Sequence, residues 1–359
     1  MRIAVIGVGS IGSHYADYLR RAGHTTVTVD PRGTSDFGDV VEIPRSLASD
    51  IDAWIVSTPT ETHLHVLRRI VRASPNARVL LEKPAALPAA IPDLAREIRE
   101  NPGTRILVNN VYGHSSAVRL FAAKVRAMSA TDPIREVTIE FTKNRQADVD
   151  AGRFVDRHYG EVGYEWFHML AVLRETLDPA AYRSFLQSAP SQVTQEIRVR
   201  TTGRGFPQVN LYASMNGLVG FPELAGHALT NARSRRHIAR GHIPYGADLR
   251  YRFAHVELAS GAQASLVFEP YHAAVADYKN VHVVRTVSRT GEKRTTDVLG
   301  NQLKHALLAQ LEALTGAKGG TARIYLPEHR YMAALARRVA PRASQLPTQT
   351  LRNLDEVTA

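Results

Sequence analysis

Near the start of the 359-residue chain, Gly7-Val8-Gly9-Ser10-Ile11-Gly12 has the spacing G-x-G-x-x-G. The run follows an apolar strand candidate at 2–6 and opens an amphipathic helical pattern at 11–22. That context separates a nucleotide-binding loop from a chance match. Gly7 permits the tight turn, Gly9 lets the backbone approach a diphosphate, and Gly12 lets helix and strand pack closely. The first N–H groups of the helix, at Ser10, Ile11 and Gly12, would then meet the phosphates with the positive end of the helix dipole. Asp30, at the end of the next strand candidate, is placed to accept hydrogen bonds from ribose hydroxyls and to repel a 2′-phosphate, which favours NAD. Arg32 is two residues on and could pair with that phosphate, which keeps NADP open. The plainer readings are glycines that serve only a strand–helix turn, and an aspartate that only turns the chain before Pro31.

The elements that must position these residues can be read from periodicity. Strand candidates at 2–6, 26–29, 52–57, 78–81 and 105–108 alternate with helical patterns at 11–22, 62–73 and 91–100. Short apolar runs separated by helices predict a parallel sheet covered on both faces. Residues 1–113 are therefore read as a doubly wound Rossmann domain in an α/β chain. The texture then changes. A helix at 115–128 leads into period-two runs at 136–143, 195–200, 208–213, 249–258, 263–268 and 280–288, with late helices at 302–314 and 328–339. This predicts an α+β domain over 114–340 with a mostly antiparallel sheet, and a polar tail at 341–359. A sheet with helices on one face leaves another face to bury, so a homo-oligomer is expected, with a monomer as the alternative.

Two further runs carry a resemblance. Ile55-Val56-Ser57-Thr58-Pro59-Thr60-Glu61-Thr62-His63 and Val79-Leu80-Leu81-Glu82-Lys83-Pro84 resemble the glucose-fructose oxidoreductase/inositol dehydrogenase (Gfo/Idh/MocA) family, and Glu-Lys-Pro at a strand end is its most specific mark. The resemblance is strong over 1–113 and rests on layout beyond. It implies hydride transfer between nicotinamide and a carbon bearing a hydroxyl or ketone, on a sugar, sugar nucleotide or cyclitol. It places Thr58, Pro59, His63, Glu82, Lys83 and Asn109 around the cofactor and Lys83 at the substrate hydroxyl. Asn110 and Tyr112, on the loop that follows, read equally as substrate contacts or as turn and surface residues. The chemistry of the position agrees. The carboxyl end of a parallel strand is where open α/β sheets place ligands, and an ammonium there can stabilise alkoxide-like charge or relay a proton. An exposed Glu82–Lys83 ion pair before a turn is the plainer alternative.

The family usually has a Gly-rich stretch, an Asp, and a His four residues later on one helix of the second domain. Here that stretch reads Gly160-Glu161-Val162-Gly163-Tyr164-Glu165-Trp166-Phe167-His168. His168 fits the histidine and Tyr164 stands where the aspartate would be. Residues three and four apart share a helical face, so Tyr164, Glu165 and His168 could look into one cleft. His168 suits proton transfer near neutral pH, Tyr164 is a substitute acid, and Glu165 could orient the histidine. A histidine satisfied in a helix core is the alternative for His168. The Asp-to-Tyr change argues against simply copying over an inositol or glucose assignment.

The bulk numbers bound the rest. The net charge of +11 is dispersed except at Arg233-Ser234-Arg235-Arg236-His237-Ile238-Ala239-Arg240. That cluster reads as a solvated loop or an anion contact for an anionic substrate, and no nucleic-acid partner is expected. Zero cysteines exclude disulfides and thiolate chemistry. No apolar run is long enough for a membrane span, and no export signal is read, so a cytoplasmic location is expected. No motif for a metal, an acyl hydrolase or ATP chemistry occurs. Two other functions stay open: glycosidic cleavage through transient NAD-dependent oxidation, and a non-catalytic NAD-binding sensor of metabolites.

Overall fold

A computed structural model describes residues 1–152, 158–189, 192–193, 198–270, 278–316 and 324–343. The chain divides into two units, one of 1–111 with 303–330 and one of 112–302 with the residues from 331 onward. In the first, strands β1 (Arg2–Ile6), β2 (Thr25–Val29), β3 (Ala53–Val56), β4 (Arg78–Leu81) and β5 (Arg105–Val108) form a parallel sheet of order β2-β1-β3-β4-β5. Its middle strands are buried along their length, which explains why they read as apolar runs rather than as alternation. Helices α1 (Ser10–Arg21), α2 (His63–Ala73) and α3 (Ile91–Glu100) alternate with the strands.

The periodicity places 303–330 in the second domain, but the structure puts this segment in the first unit. Leu307, Leu311 and Leu314 join Ile3, Val5, Leu19, Ile55 and Leu80 in one buried cluster. Spaced by four and three residues, these leucines form a single stripe of the helix Gln302–Thr315. Each such side chain contributes roughly 2 kcal/mol when it leaves water, enough to fix this late segment on the sheet of the first unit.

The second unit holds an eight-stranded sheet. Its strands are β6 (Ile134–Lys143), β7 (Gln192–Val193), β8 (Arg198–Gly203), β9 (Phe206–Ser214), β10 (Arg250–Leu258), β11 (Gln263–Phe268), β12 (Val281–Val287) and β13 (Lys293–Leu299), in the order β13-β12-β11-β10-β6-β9-β8-β7. All neighbours are antiparallel except β6 and β9. Helices α4 (Ser116–Ser129) and α5 (Glu161–Thr176) cover the face that carries Val137, Ile139 and Phe141. The other face is partly buried by the chain itself: Ala225, Leu229, Ile238 and Ile243 pack on Tyr251, Phe253 and Val267.

Three elements differ from expectation. The basic cluster read as a loop is a helix, Ala232–Ala239, capped by the Asn231 side chain, with Ile238 buried and its arginines exposed. The helix Pro179–Gln187 begins with Pro at its first position and an Asp178 cap. The last strand, Lys293–Leu299, is exposed along almost its whole length and so shows no apolar alternation. Of the residues read as a tail, 344–359 lie outside the described residues. Among the described residues no helix is long and apolar enough to cross a membrane.

Candidate functional site

The glycine loop turns at Gly7, whose φ of 85° is in the left-handed region and whose N–H donates to Val29 O at 2.8 Å. A Cβ on Gly12 would stand 1.9 Å from Gly7 O, so the helix could not sit so close to the strand with any other residue. A Cβ on Gly9 meets nothing within 4 Å. The turn thus leaves open space beside the start of α1, which has no side-chain cap, with Ser10 exposed and Ile11 partly buried against the core. A diphosphate fits that opening: it would approach the Gly9 backbone and receive the first N–H groups of α1. Asp30 closes the loop from the other side. Its carboxylate accepts from Val8 N at 2.7 Å and from Arg32 N at 2.9 Å. A carboxylate has about four acceptor positions, so two remain for ribose hydroxyls. The Arg32 side chain is 85% exposed and stands 3.9 Å from Asp30.

Lys83 follows the tip of β4, half-buried, and the Lys83–Pro84 peptide is cis. Its backbone N–H donates to Glu82 Oε2 at 3.1 Å. The other oxygen of Glu82 receives the Tyr15 hydroxyl and, at 2.5 Å, Asn109 Nδ2. Asn109 Oδ1 in turn accepts from Gln310 Nε2 at 2.9 Å, and Gln310 Oε1 accepts from Asn110 N at 2.8 Å. Burial, then the Glu82 charge, pushes the Tyr15 phenol well above its ordinary pKa, so it stays a donor. Glu82 and Asn109 therefore brace Lys83 from behind. Asn110 is also buried, with Nδ2 on the Tyr325 hydroxyl at 3.3 Å.

His63 is 1% exposed, with Nδ1 3.0 Å from Pro84 O and Nε2 2.8 Å from Thr58 O. Its ring ties the loop after β3, with Thr58 half-buried and Pro59 exposed, to the loop that carries Lys83. It is a positioning group inside the fold rather than a surface that meets a cofactor. Burial disfavours the imidazolium and lowers its pKa, against the two carbonyls and Glu82. The unfolded state then binds more protons below pH about 6.5, so stability should fall as pH drops through that value. Thermal melts from pH 7 to 5 should show this, with a shallower slope in His63→Asn, which cannot titrate. An identical slope would remove His63 as a source.

In the second unit, Tyr164 and His168 are half-buried with Glu161 on one stripe of α5, while Glu165 is buried behind them. His168 lies against Tyr112, ring centroids 4.8 Å apart, and Tyr112 packs on Phe141 and Phe268. Burial pushes the Tyr112 phenol up to about 12, with Arg252 pulling the other way. Glu165 Oε1 accepts from Arg145 Nη2 at 2.7 Å and from Arg252 Nη2 at 2.6 Å. Burial alone would raise its carboxyl, but Arg252, Arg145 and His168 outweigh it and hold it well below the ordinary carboxylate range. Glu165 is thus an ionised anchor for two arginines. The Arg145 guanidinium lies 5.4 Å from the Tyr164 ring centroid.

Tyr15, Gln310, Arg145 and Arg252 were not singled out from the sequence. A signal existed for Arg252. It alternates in register with Ala254 and Val256 on the covered face of β10, opposite Phe141 of β6, and a charge among apolar partners is costly unless paired.

A family model described as an oxidoreductase family with an NAD-binding Rossmann fold, Gfo/Idh/MocA, matches residues 1–109. Curated protein sequences give no match. Three solved structures share the fold. A 3-ketoreductase from Actinomadura kijaniata, in complex with TDP-benzene and NADP, is 15% identical over 95% of this chain and 96% of its own, with a TM-score of 0.58. UDP-N-acetylglucosamine 3-dehydrogenase from Acidithiobacillus ferrooxidans is 18% identical over 96% and 98%, also at 0.58. The dehydrogenase MviM from Clostridium difficile is 14% identical over 95% and 99%, again at 0.58. Residues 1–109, whose glycine cradle fits a dinucleotide, thus match the Gfo/Idh/MocA family of oxidoreductases with an NAD-binding Rossmann fold.

Proposed function

We propose that this chain is an NAD(P)-dependent oxidoreductase acting between a hydroxyl and a ketone on a sugar, sugar nucleotide or cyclitol. The observation that carries the reading is Lys83 at the tip of β4, held from behind by Glu82, Asn109, Tyr15 and Gln310 in the same unit as the glycine cradle. NAD(P), when bound, supplies or accepts the hydride. Gly9, Ser10, Ile11 and Gly12 hold the diphosphate through backbone N–H groups, and Asp30 takes the ribose hydroxyls. The Lys83 ammonium stabilises the alkoxide-like oxygen and moves its proton. His168 and Tyr164 are assigned to substrate binding and proton transfer. Tyr112 is assigned to packing the His168 ring, because it lies against that ring and keeps its proton at neutral pH.

The fold neighbours support the substrate class, since one is named for a sugar nucleotide and another was crystallised with a TDP compound. The test follows the absorbance of reduced nicotinamide over a panel of ketosugars, polyols and sugar nucleotides. Turnover is expected at lower NADH than NADPH concentration, because Asp30 would meet a 2′-phosphate as a like charge. No binding of either cofactor to folded protein would sink the proposal. Pairing of two copies is assigned to the part of the sheet's second face that the 219–249 segment leaves uncovered. Light scattering reads it directly.

A further inference from the structure

Buried charge in the second unit does not balance among the described residues. Lys143, Asp148, Arg145, Glu165 and Arg252 form a chain of alternating sign, with successive contacts of 2.9, 3.4, 2.7 and 2.6 Å. It begins and ends on a cation, so three cations meet two carboxylates. The neighbouring Arg250 is matched separately by Glu269 at 3.0 Å. Glu161, one turn before Glu165, does not supply the missing charge: burial and Glu165 push its carboxyl up to about 8, and it keeps its proton at neutral pH. Water screens the surplus poorly, because the Arg145 and Arg252 side chains are 9% exposed and Lys143 is 13%. Arg252 Nε also has no hydrogen-bond partner. An unmatched buried charge is costly unless something pairs with it.

We propose that the substrate matches this charge: the molecule handled here carries an anionic group, carboxylate or phosphate, recognised by Lys143, Arg145 and Arg252. The proposal rests on the oxidoreductase reading for what happens next, but binding of the anion does not require the cofactor. Guanidinium groups suit either oxyanion, since their planar donors meet two oxygens at once. Tyr164, against Arg145, and His168, on the same half-buried stripe of α5, would present hydroxyl and imidazole to the rest of the sugar. A neutral polyol would leave the surplus uncompensated, so selectivity should favour the charged member of any matched pair.

The test is calorimetric titration and thermal shift on the whole chain without cofactor, at fixed ionic strength. The probes are glucuronate, glucose 6-phosphate and UDP, set against glucose and inositol. Saturable stabilisation by at least one anionic probe and none by the neutral sugars is expected, and the responding arm separates carboxylate from phosphate. Arg145→Met removes one of the two guanidinium partners of the buried Glu165, so a loss of folding would be confounded with a loss of binding. Lys143→Met sits at the rim, leaves the Arg145–Glu165–Arg252 triad intact, and should weaken the anion about tenfold, which is about 1.4 kcal/mol. Equal affinity for glucose and glucuronate, no saturable shift with any anion, or unchanged anion affinity in Lys143→Met each overturns the proposal. Turnover of neutral sugars with NADH at equal efficiency would overturn it too, yet leave the oxidoreductase reading standing. Failure of NAD(H) to bind would end that reading alone.

Discussion

Lys83→Met is expected to lower kcat by roughly 10²–10⁴-fold, the range for losing a proton-transfer group, while NAD(H) affinity changes by no more than about twofold. The two effects separate because the lysine's main chain and side chain do different work. The backbone N–H is held by Glu82, and Glu82 is held by Tyr15 and Asn109, so the strand tip keeps its shape when the ammonium is removed. Methionine retains an apolar stem in a half-buried position, so the substitution removes charge and donors with little loss of packing. Steady-state kinetics and a fluorescence titration of NADH read the two quantities independently. An intact kcat would remove Lys83 from the chemistry. A metabolite sensor would show unchanged output, and glycosidic cleavage would show sugar release without net NADH. Glu82→Gln should act less strongly and in the same direction, since it loosens the brace without removing the ammonium.

The two units differ in how far they could be read in advance, and the reason is the distance over which their interactions close. The cradle, Asp30 and the strand tips are local: each depends on a strand, a turn and a helix start that follow one another in the chain, so period and glycine spacing suffice. The brace behind Lys83 is not local. Asn109 and Gln310 are 201 residues apart, and nothing near Gln310 marks it except the leucine stripe that seats its helix. On α5 the spacing brings Tyr164, Glu165 and His168 close, but a helical wheel cannot say which of them turns inward. Glu165 does, because Arg145 and Arg252, 20 and 87 residues away, give a buried carboxylate its partners. The period-two pattern found the strand of Arg252 and its face. Reading the arginine as a paired buried charge required the opposite strand and the helix above it.

The sharpest test of the cradle compares two alanines three residues apart. Gly12→Ala puts a methyl 1.9 Å from Gly7 O and 2.7 Å from Ser57 Oγ. Ser57 Oγ already donates to Gly7 O at 2.8 Å, so neither neighbour can simply swing away. Helix α1 must shift off the sheet, at a cost of at least about 1–3 kcal/mol, the range for overpacked sites. For a chain of this length that appears as a lower melting temperature without any ligand. Gly9→Ala should do the opposite. Its Cβ meets nothing within 4 Å and its φ of −72° suits any residue, so the melting temperature should hold. The methyl then occupies the space through which a diphosphate reaches the backbone, and NAD(H) affinity should fall about 100-fold, which is roughly 2.7 kcal/mol. Differential scanning fluorimetry and calorimetric titration on both variants give four numbers. If Gly9→Ala binds NADH as the parent does, the glycines serve only the turn. If it melts as the parent does and fails to bind, the open space at Gly9 is there for the cofactor.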